Sequence, residues 1–291
     1  MATLRDLKRR IASVDSVAHI TRSMEMLSVV KIYYLRKQVG KSIPFVNKLR
    51  DLLVSIAEHL NTDINTSPLF ESKPVETTLM IPLTSDRGFC GSFNSNITDI
   101  TKRWLTQNDT DVLMGSLSKN TTKELNHLGH NIVVNHPGML DKVTFDNAKK
   151  LAGEIKTMYI ENRIQSVKFA YMEFQSVLNQ VSVIRQMLPL AEIKKAQKRS
   201  VEDFIFKPNP EKIIDSLTST YVDLFVYKVL LEASASEQAM RRMSMHRATE
   251  NAHELSQKLT IKYQRTRQAT ITKELTEITS SAEALKETVN G

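Results

Sequence analysis

Two spacings of apolar residues divide this chain. Toward both ends they recur every three or four positions, whereas between residues 77 and 188 they gather into short runs separated by helical stretches. From Asn209 onward nothing interrupts the helical period, because no proline or glycine stands between Pro210 and Gly291. Asn209 can cap free amides, Pro210 suits a first helical position, and Glu211 places a negative charge at the positive end of the helix dipole. A helix over this stretch would be about 120 Å long, several times the diameter of a domain this chain could form. It cannot be buried within its own protein. Its far end reads Ile271, Leu275, Ile278, Ala282, Leu285 and Val289, an apolar seam along one face.

Residues 1–39 also lack glycine and proline, and Thr3 followed by Asp6 offers the two halves of a capping box. Leu4, Leu7, Ile11, Val14, Val17, Ile20, Met24 and Leu27 give a seam with a three-residue skip between Val14 and Val17. Such a stammer would locally overwind a pair of helices. The apolar run resumes from Phe45 to Leu60, so Pro44 is expected to kink this helix rather than end it.

Between the two long patterns the period changes. Asn61 to Pro74 is polar and reads as a loop. Strands are expected at Thr77–Thr84, Asp111–Leu117, Asn131–Asn135 and Ser166–Phe174, and helices at Asn94–Gln107, Ser118–Leu128 and Phe145–Glu161. Strands alternating with helices of this length imply an α/β layer with parallel pairing. Val181–Leu188 can add an edge strand, and the basic segment Lys194–Ser200 leads on toward Asn209. The expected fold is therefore a small α/β, Rossmann-like domain (75–190) inserted between two long terminal helices (1–60 and 209–291). Both terminal helices carry seams and the chain must return to its start, so they should form an antiparallel coiled coil. The second helix is the longer, and its last part should stand alone.

Composition narrows the function more than the fold. With 291 residues, 41% hydrophobic and 25% charged, the chain has an ordinary globular make-up, and its eight glycines and eight prolines leave room for much helix. The net charge of +8 is concentrated near the start, where residues 1–41 hold nine Lys or Arg against three acids. A second basic stretch runs from Arg241 to Lys273, countered only by Glu250 and Glu254. Nucleic-acid binding would call for stacking aromatics there, and Tyr263 is the single one, so an acidic protein partner fits better. The lone Cys90 excludes an internal disulfide and suits a reducing compartment. The N-terminus lacks the apolar core of a secretory signal, and no apolar run of about 18 residues could span a bilayer. Work at a membrane would depend on other chains to hold the protein there.

Catalytic chemistry is not expected. Asp86-Arg87-Gly88-Phe89-Cys90-Gly91-Ser92 follows the first strand, where a phosphate loop would lie, but neither Gly-x-x-x-x-Gly-Lys nor Gly-x-Gly-x-x-Gly occurs. Gly88 and Gly91 more simply allow a tight turn, with Cys90 a small buried thiol. The histidines make no metal spacing; His246 and His253, seven apart, suit a helix surface or interface. Met240, Met243 and Met245 read as adaptable packing groups. No catalytic residue, cofactor or metal ligand is assigned.

Four separated blocks nevertheless form a familiar set. They are Thr3-Leu4-Arg5-Asp6-Leu7-Lys8-Arg9-Arg10-Ile11 with Ile20 to Ser28; Ser85 to Gly91; Ala235-Ser236-Glu237-Gln238 with Met243, Met245 and Ala248 to Ala252; and Thr266 to Ile278. Together, and in this order, they resemble the gamma subunits of F-type ATP synthases. The resemblance implies a non-catalytic rotor shaft inside a ring of three alpha and three beta subunits, the beta subunits holding the reacting nucleotides. It implies a foot beside an epsilon subunit and a membrane ring of c subunits, with no nucleic acid bound and no direct membrane insertion. The site would be the cytoplasmic face of a bacterial membrane rather than a mitochondrial matrix. By the same match Arg267 and Gln268 would meet an acidic catch loop on beta, Met24 would lie close to that contact level where the helices pass, and Phe204, Phe206 and Lys207 would face the ring. The tip from Ile278 to Val289 would turn in an apolar sleeve. There is no regulatory cysteine pair of the chloroplast type. Three positions depart from the pattern: Ser281 before Ala282 where glycine is usual, Lys207 where an acid is common, and Tyr33 with Tyr34 where small or basic residues stand. These leave two alternatives to an ordinary ATP synthase: a divergent rotor driving something other than an ordinary c ring, and a free coiled-coil scaffold or nucleic-acid adaptor.

Overall fold

The computed structural model describes residues 3–59, 68–70, 74, 76–108, 110–190 and 210–289. Ten elements follow in order: α1 (Leu4–His59), β1 (Thr77–Pro82), α2 (Phe93–Gln107), β2 (Asp111–Ser116), α3 (Lys119–His127), β3 (Ile132–Asn135), α4 (Phe145–Ile160), β4 (Ser166–Phe174), β5 (Gln180–Leu188) and α5 (Pro210–Val289). Contacts divide the chain into two units, one of residues 28–241 and one of residues 1–27 with 242–291. Each long helix contributes to both.

The larger unit is built on a five-stranded sheet in the order β3-β2-β1-β4-β5. The pairs β1·β2, β1·β4 and β2·β3 are parallel, and β5 closes the edge antiparallel to β4. Side chains alternate across the sheet, as the pleat requires. Met80 and Met114 point to the face covered by Phe93 and Ile97 of α2 and Leu125 of α3. Leu79, Ile81 and Phe169 belong to the opposite core with Leu151 and Ile155 of α4, Val46 and Leu53 of α1, and Val222, Val226 and Leu230 of α5. Local caps set the helix starts, with Ser118 Oγ accepting from the Thr121 amide and Thr144 Oγ1 from the Asn147 amide. The most enclosed element is α5: every residue from Val229 to Ala239 is buried. A helix buried all round is part of a core, not a lid upon one.

The smaller unit pairs the start of α1 with the outer part of α5. Thr3 Oγ1 accepts from the Asp6 amide at 3.2 Å while the Asp6 carboxylate accepts from the Thr3 amide at 3.3 Å, the reciprocal bonds of a capping box. The Thr3 hydroxyl, which also donates to this carboxylate at 2.8 Å, and then the Thr3 amide hold the Asp6 carboxyl below its usual range. Thr21 meets Thr249 at 2.7 Å and Ser256 donates to Asp15 at 2.7 Å, so rising numbers on one helix meet falling numbers on the other. The pair is antiparallel. Pro44 lies inside α1, which runs on to His59.

The seam of α1 differs from the spacing of its largest apolar residues. Leu7, Ile11 and Val14 are covered, but the inward row then continues through Ala18, Thr21, Glu25 and Ser28 in a strict four-three alternation. Val17, Ile20 and Leu27 instead face outward, Leu27 at 66% exposure. There is thus no stammer. Small and hydroxyl side chains take the seam because they permit a direct cross-helix bond such as Thr21 to Thr249, leaving the bulky apolar groups outside. Asn209 and the segment Lys194–Ser200 lie outside the described residues, as does most of the stretch from Asn61 to Pro74.

Candidate functional site

Two places in the fold gather the residues singled out by sequence. The first is the loop after β1, at the carboxyl end of the sheet, where chain order reverses between the β1·β2 and β1·β4 pairs. In an open α/β sheet this crevice is the usual ligand position. Here side chains of α5 occupy it. Ser85 Oγ donates to Glu237 Oε1 at 2.7 Å, and the Arg241 guanidinium donates to the same carboxylate oxygen at 2.6 Å, to Ser85 Oγ at 3.1 Å and to the Arg87 carbonyl at 3.3 Å. Ser85, Glu237 and Arg241 are all buried. The loop is held from its other side as well, with the Ser85 amide on Asn94 Oδ1, the Lys119 amide on Asp86, and Arg87 paired to Asp141 at 3.3 Å.

By its place in the sequence Arg241 belongs with the outward basic stretch, and the structure corrects this: at 6% exposure its charge is spent inside the molecule. The signal available was the four-residue spacing from Glu237 to Arg241, which puts acid and base on one helix face. Cys90 is buried as expected, and burial pushes its thiol up from the ordinary value. The turn is made differently. Gly91 takes a positive φ of 61°, but its partner in the left-handed region is Phe89 at 63°, not Gly88. A bulky side chain seldom adopts that conformation, and Phe89 points into solvent.

More buried polar ties hold the inner part of α5. Lys156 of α4 donates to Asp223 at 2.7 Å and to Ser219 Oγ at 2.8 Å, and Ser234 Oγ donates to the Leu140 carbonyl at 3.0 Å. Tyr171 of β4 donates to Glu232 Oε2 at 3.1 Å, and Lys228 lies 3.6 Å from the other oxygen. Burial, the largest influence, raises both the Glu232 carboxyl and the Tyr171 hydroxyl above their ordinary values. A cavity of about 540 Å³ between α1, β4, β5 and α5 is lined by Arg50, Lys168, Arg185 and Lys228. Each of these cations already has a partner: Asp51, Gln186, Glu173 and Glu232 respectively. Among the described residues no cluster of His, Cys, Asp or Glu could hold a metal ion.

The second place is the surface of α5 in the smaller unit. A covered row runs Met245, Thr249, Ala252, Ser256, Leu259, Tyr263, Thr266 and Thr270, again in four-three alternation. His246 sits between two carboxylates, 3.2 Å from Glu25 and 3.3 Å from Glu250. Met24 is half-buried beside Glu25, level with His246. Arg267 and Gln268 are exposed, and no ion pair or hydrogen bond of theirs is seen among the described residues. Extending the pairing of Asp15 with Ser256 sets Arg267 opposite the start of α1. Met24 and Arg267 therefore stand about 30 Å apart along the shaft rather than close to one level. Beyond Thr270, Ile271, Leu275 and Ile278 are exposed, an apolar row with no described helix of this chain against it. Phe204, Phe206 and Lys207 lie outside the described residues.

The family model described as ATP synthase matches residues 3–285. The ATP synthase gamma chain of Chlorobaculum tepidum is 33% identical over 294 residues, covering 99% of this chain and 100% of that one. The gamma chain of Moorella thermoacetica is 34% identical over 286 residues, covering 98% and 100%. Among solved structures, a chain of the Euglena gracilis mitochondrial ATP synthase F1/c-ring assembly superposes with a TM-score of 0.68 at 15% identity, over 97% of this chain and 94% of that one. A chain from the central stalk and c-ring of the Tetrahymena thermophila mitochondrial enzyme gives 0.57 at 22%, over 79% and 99%. At such identities these two speak for the fold.

Proposed function

The chain belongs to the ATP synthase gamma-chain family, and on that premise we propose that it turns as the central-stalk rotor of an F-type ATP synthase and that the outer part of α5 is its working surface. It is a non-catalytic subunit of a complex whose catalysis sits on beta. Its partners are the alpha and beta subunits around the shaft, with an epsilon subunit and a c ring at the foot. The single observation that carries the reading is the end-to-end match to curated gamma chains. The exposed row beyond Thr270 supports it, because an apolar helix face without a partner among the described residues of its own chain calls for one in another.

Physically, a rotor needs no reactive group. It makes different contacts with three otherwise equal partners and so biases each between open and closed states. Arg267 supplies a charge-assisted hydrogen bond to an acidic loop of beta, with Gln268 a neutral companion. Both are exposed and free of partners within the described chain, as such a contact requires. Met24 acts as packing within the helix pair, well below that level. Phe204, Phe206 and Lys207 are assigned to the ring-facing foot by motif alone. The natural division is a shaft of residues 1–60 and 209–291 and a globular foot of residues 75–190.

No described helix is long and apolar enough to cross a membrane. The protein is peripheral, on the F1 side, and we place it at the cytoplasmic face of a bacterial membrane. A second version of the reading has the rotor seated on an altered ring. It is favoured by Tyr33 and Tyr34, two adjacent aromatics that α1 leaves exposed at 76% and 61%. Native mass spectrometry of the endogenous complex tests the assignment. Three alpha, three beta and one copy of this chain are expected; a self-associated chain that binds polyanions with a steep salt dependence would sink it.

A further inference from the structure

The family reading explains the outer part of α5 but not why two signature blocks, Ser85 to Gly91 and Ala235 to Gln238, meet deep inside the larger unit. Resting on the rotor reading, we propose that the polar ties along inner α5, ending in the Ser85–Glu237–Arg241 cluster, are a key that fixes the helix against rolling about its own axis. The globular layer can then drive the shaft.

Hydrophobic contact is non-directional, and α5 is buried all round from Val229 to Ala239. Ala233, Ser234, Ala235 and Ser236 give the middle of this stretch a nearly smooth surface, and its large apolar side chains, Leu230 and Leu231, stand only at its start. Turning such a cylinder exchanges one set of weak contacts for another. Resistance must come from bonds with direction.

Those bonds are present, and they are aligned. On an ideal helix Ser219, Asp223, Ser234, Glu237 and Arg241 fall within about 60° of one another, and Glu232 falls near the opposite side. The row reaches three different parts of the layer: Lys156 on α4, the Leu140 carbonyl after β3, and the Ser85 to Arg87 loop after β1. The last cluster is the strongest, since a buried charge pair at 2.6 Å shares its carboxylate with a serine hydroxyl, and such bonds stiffen where water is excluded. It also stands at the end of the buried run, the point at which the helix passes load to its outer part.

The test uses the membrane-reconstituted complex. Exchanging the pair for apolar groups of similar length, Glu237→Met with Arg241→Met, removes the directional tie without leaving a buried charge unpaired. ATP hydrolysis by the detached, unloaded head should stay at the parent rate, whereas gradient-driven synthesis, which pulls through the foot, should fall by about threefold or more. Ser85→Ala, the smaller change, should move the same ratio in the same direction. The proposal is overturned if the synthesis-to-hydrolysis ratio holds at the parent value in both variants. It is equally overturned if hydrolysis, synthesis and assembly decline together in both, because that marks a merely structural role. Failure of the parent complex to couple the two activities would strike the rotor reading instead.

Discussion

Inner and outer α5 are one helix with opposite surroundings. Between Ile214 and Arg241 it is a core element, enclosed by apolar groups and pinned by Lys156, Tyr171 and Ser85. From Arg242 outward it carries one covered row, and past Thr270 every described side chain is exposed. Secondary structure is the same throughout, so the difference lies wholly in what side chains are offered. Small residues with a few precise polar groups make a helix that its own domain can grip. Isolated Ile and Leu among Thr, Lys and Glu make one that a partner can touch lightly.

The sharpest way to break this contrast is at the grip. Arg241→Ala leaves Glu237 buried and unpaired, and should lower stability by about 3–5 kcal/mol in urea unfolding of the purified chain. A loss below about 1 kcal/mol would mean that the pair is hydrated, and the inner helix loosely held. Next in size, Leu230→Ala in the core should cost about 3 kcal/mol, while Leu275→Ala in the exposed stretch should change stability by no more than about 0.5 kcal/mol. Equal effects would erase the distinction between the two halves.

A third measurement sharpens it through pH. Burial holds the Glu232 carboxyl above its ordinary 4.5, so around that value the folded chain keeps a proton that the unfolded chain gives up. The resulting stability is complete below pH 4.5 and is lost as pH rises through the raised value. Glu232→Gln should flatten this part of the stability profile; an unchanged slope would assign the dependence to another group. Smallest in stability but largest in work is Arg267→Ala with Gln268→Ala. It should leave unfolding within about 0.5 kcal/mol of the parent yet reduce ATP turnover of the assembled complex. Unchanged turnover would remove these two residues from the beta contact.

Most of the layer was legible because each element carries its own period and its own punctuation. The strand Ser166–Phe174 falls where its short apolar run places it, and α4 starts at Phe145 because Thr144 caps it. The tall end helices were legible from the absence of breakers. What could not be read was which face of them turns inward. Apolar spacing marks every contact a residue serves, including those with other chains, so Val17, Ile20 and Leu27 looked like the seam of α1 while Ala18, Thr21 and Glu25 form it. Arg241 was obscure for the converse reason: one inward guanidinium in a run of outward ones has no distinguishing neighbour, only Glu237 four residues before it. The separation of Met24 from Arg267 required the register of the helix pair, which hydrogen bonds such as Thr21 to Thr249 set and composition does not.

A rotor must rotate, and rotation can be watched. Leu178, at 81% exposure on the globular unit, can be changed to cysteine (Leu178→Cys) to carry a reporter rod in the immobilised complex with alpha and beta, Cys90 being buried. On addition of ATP the rod should turn stepwise in one direction. A rod that keeps a fixed angle while ATP is still hydrolysed would contradict the account.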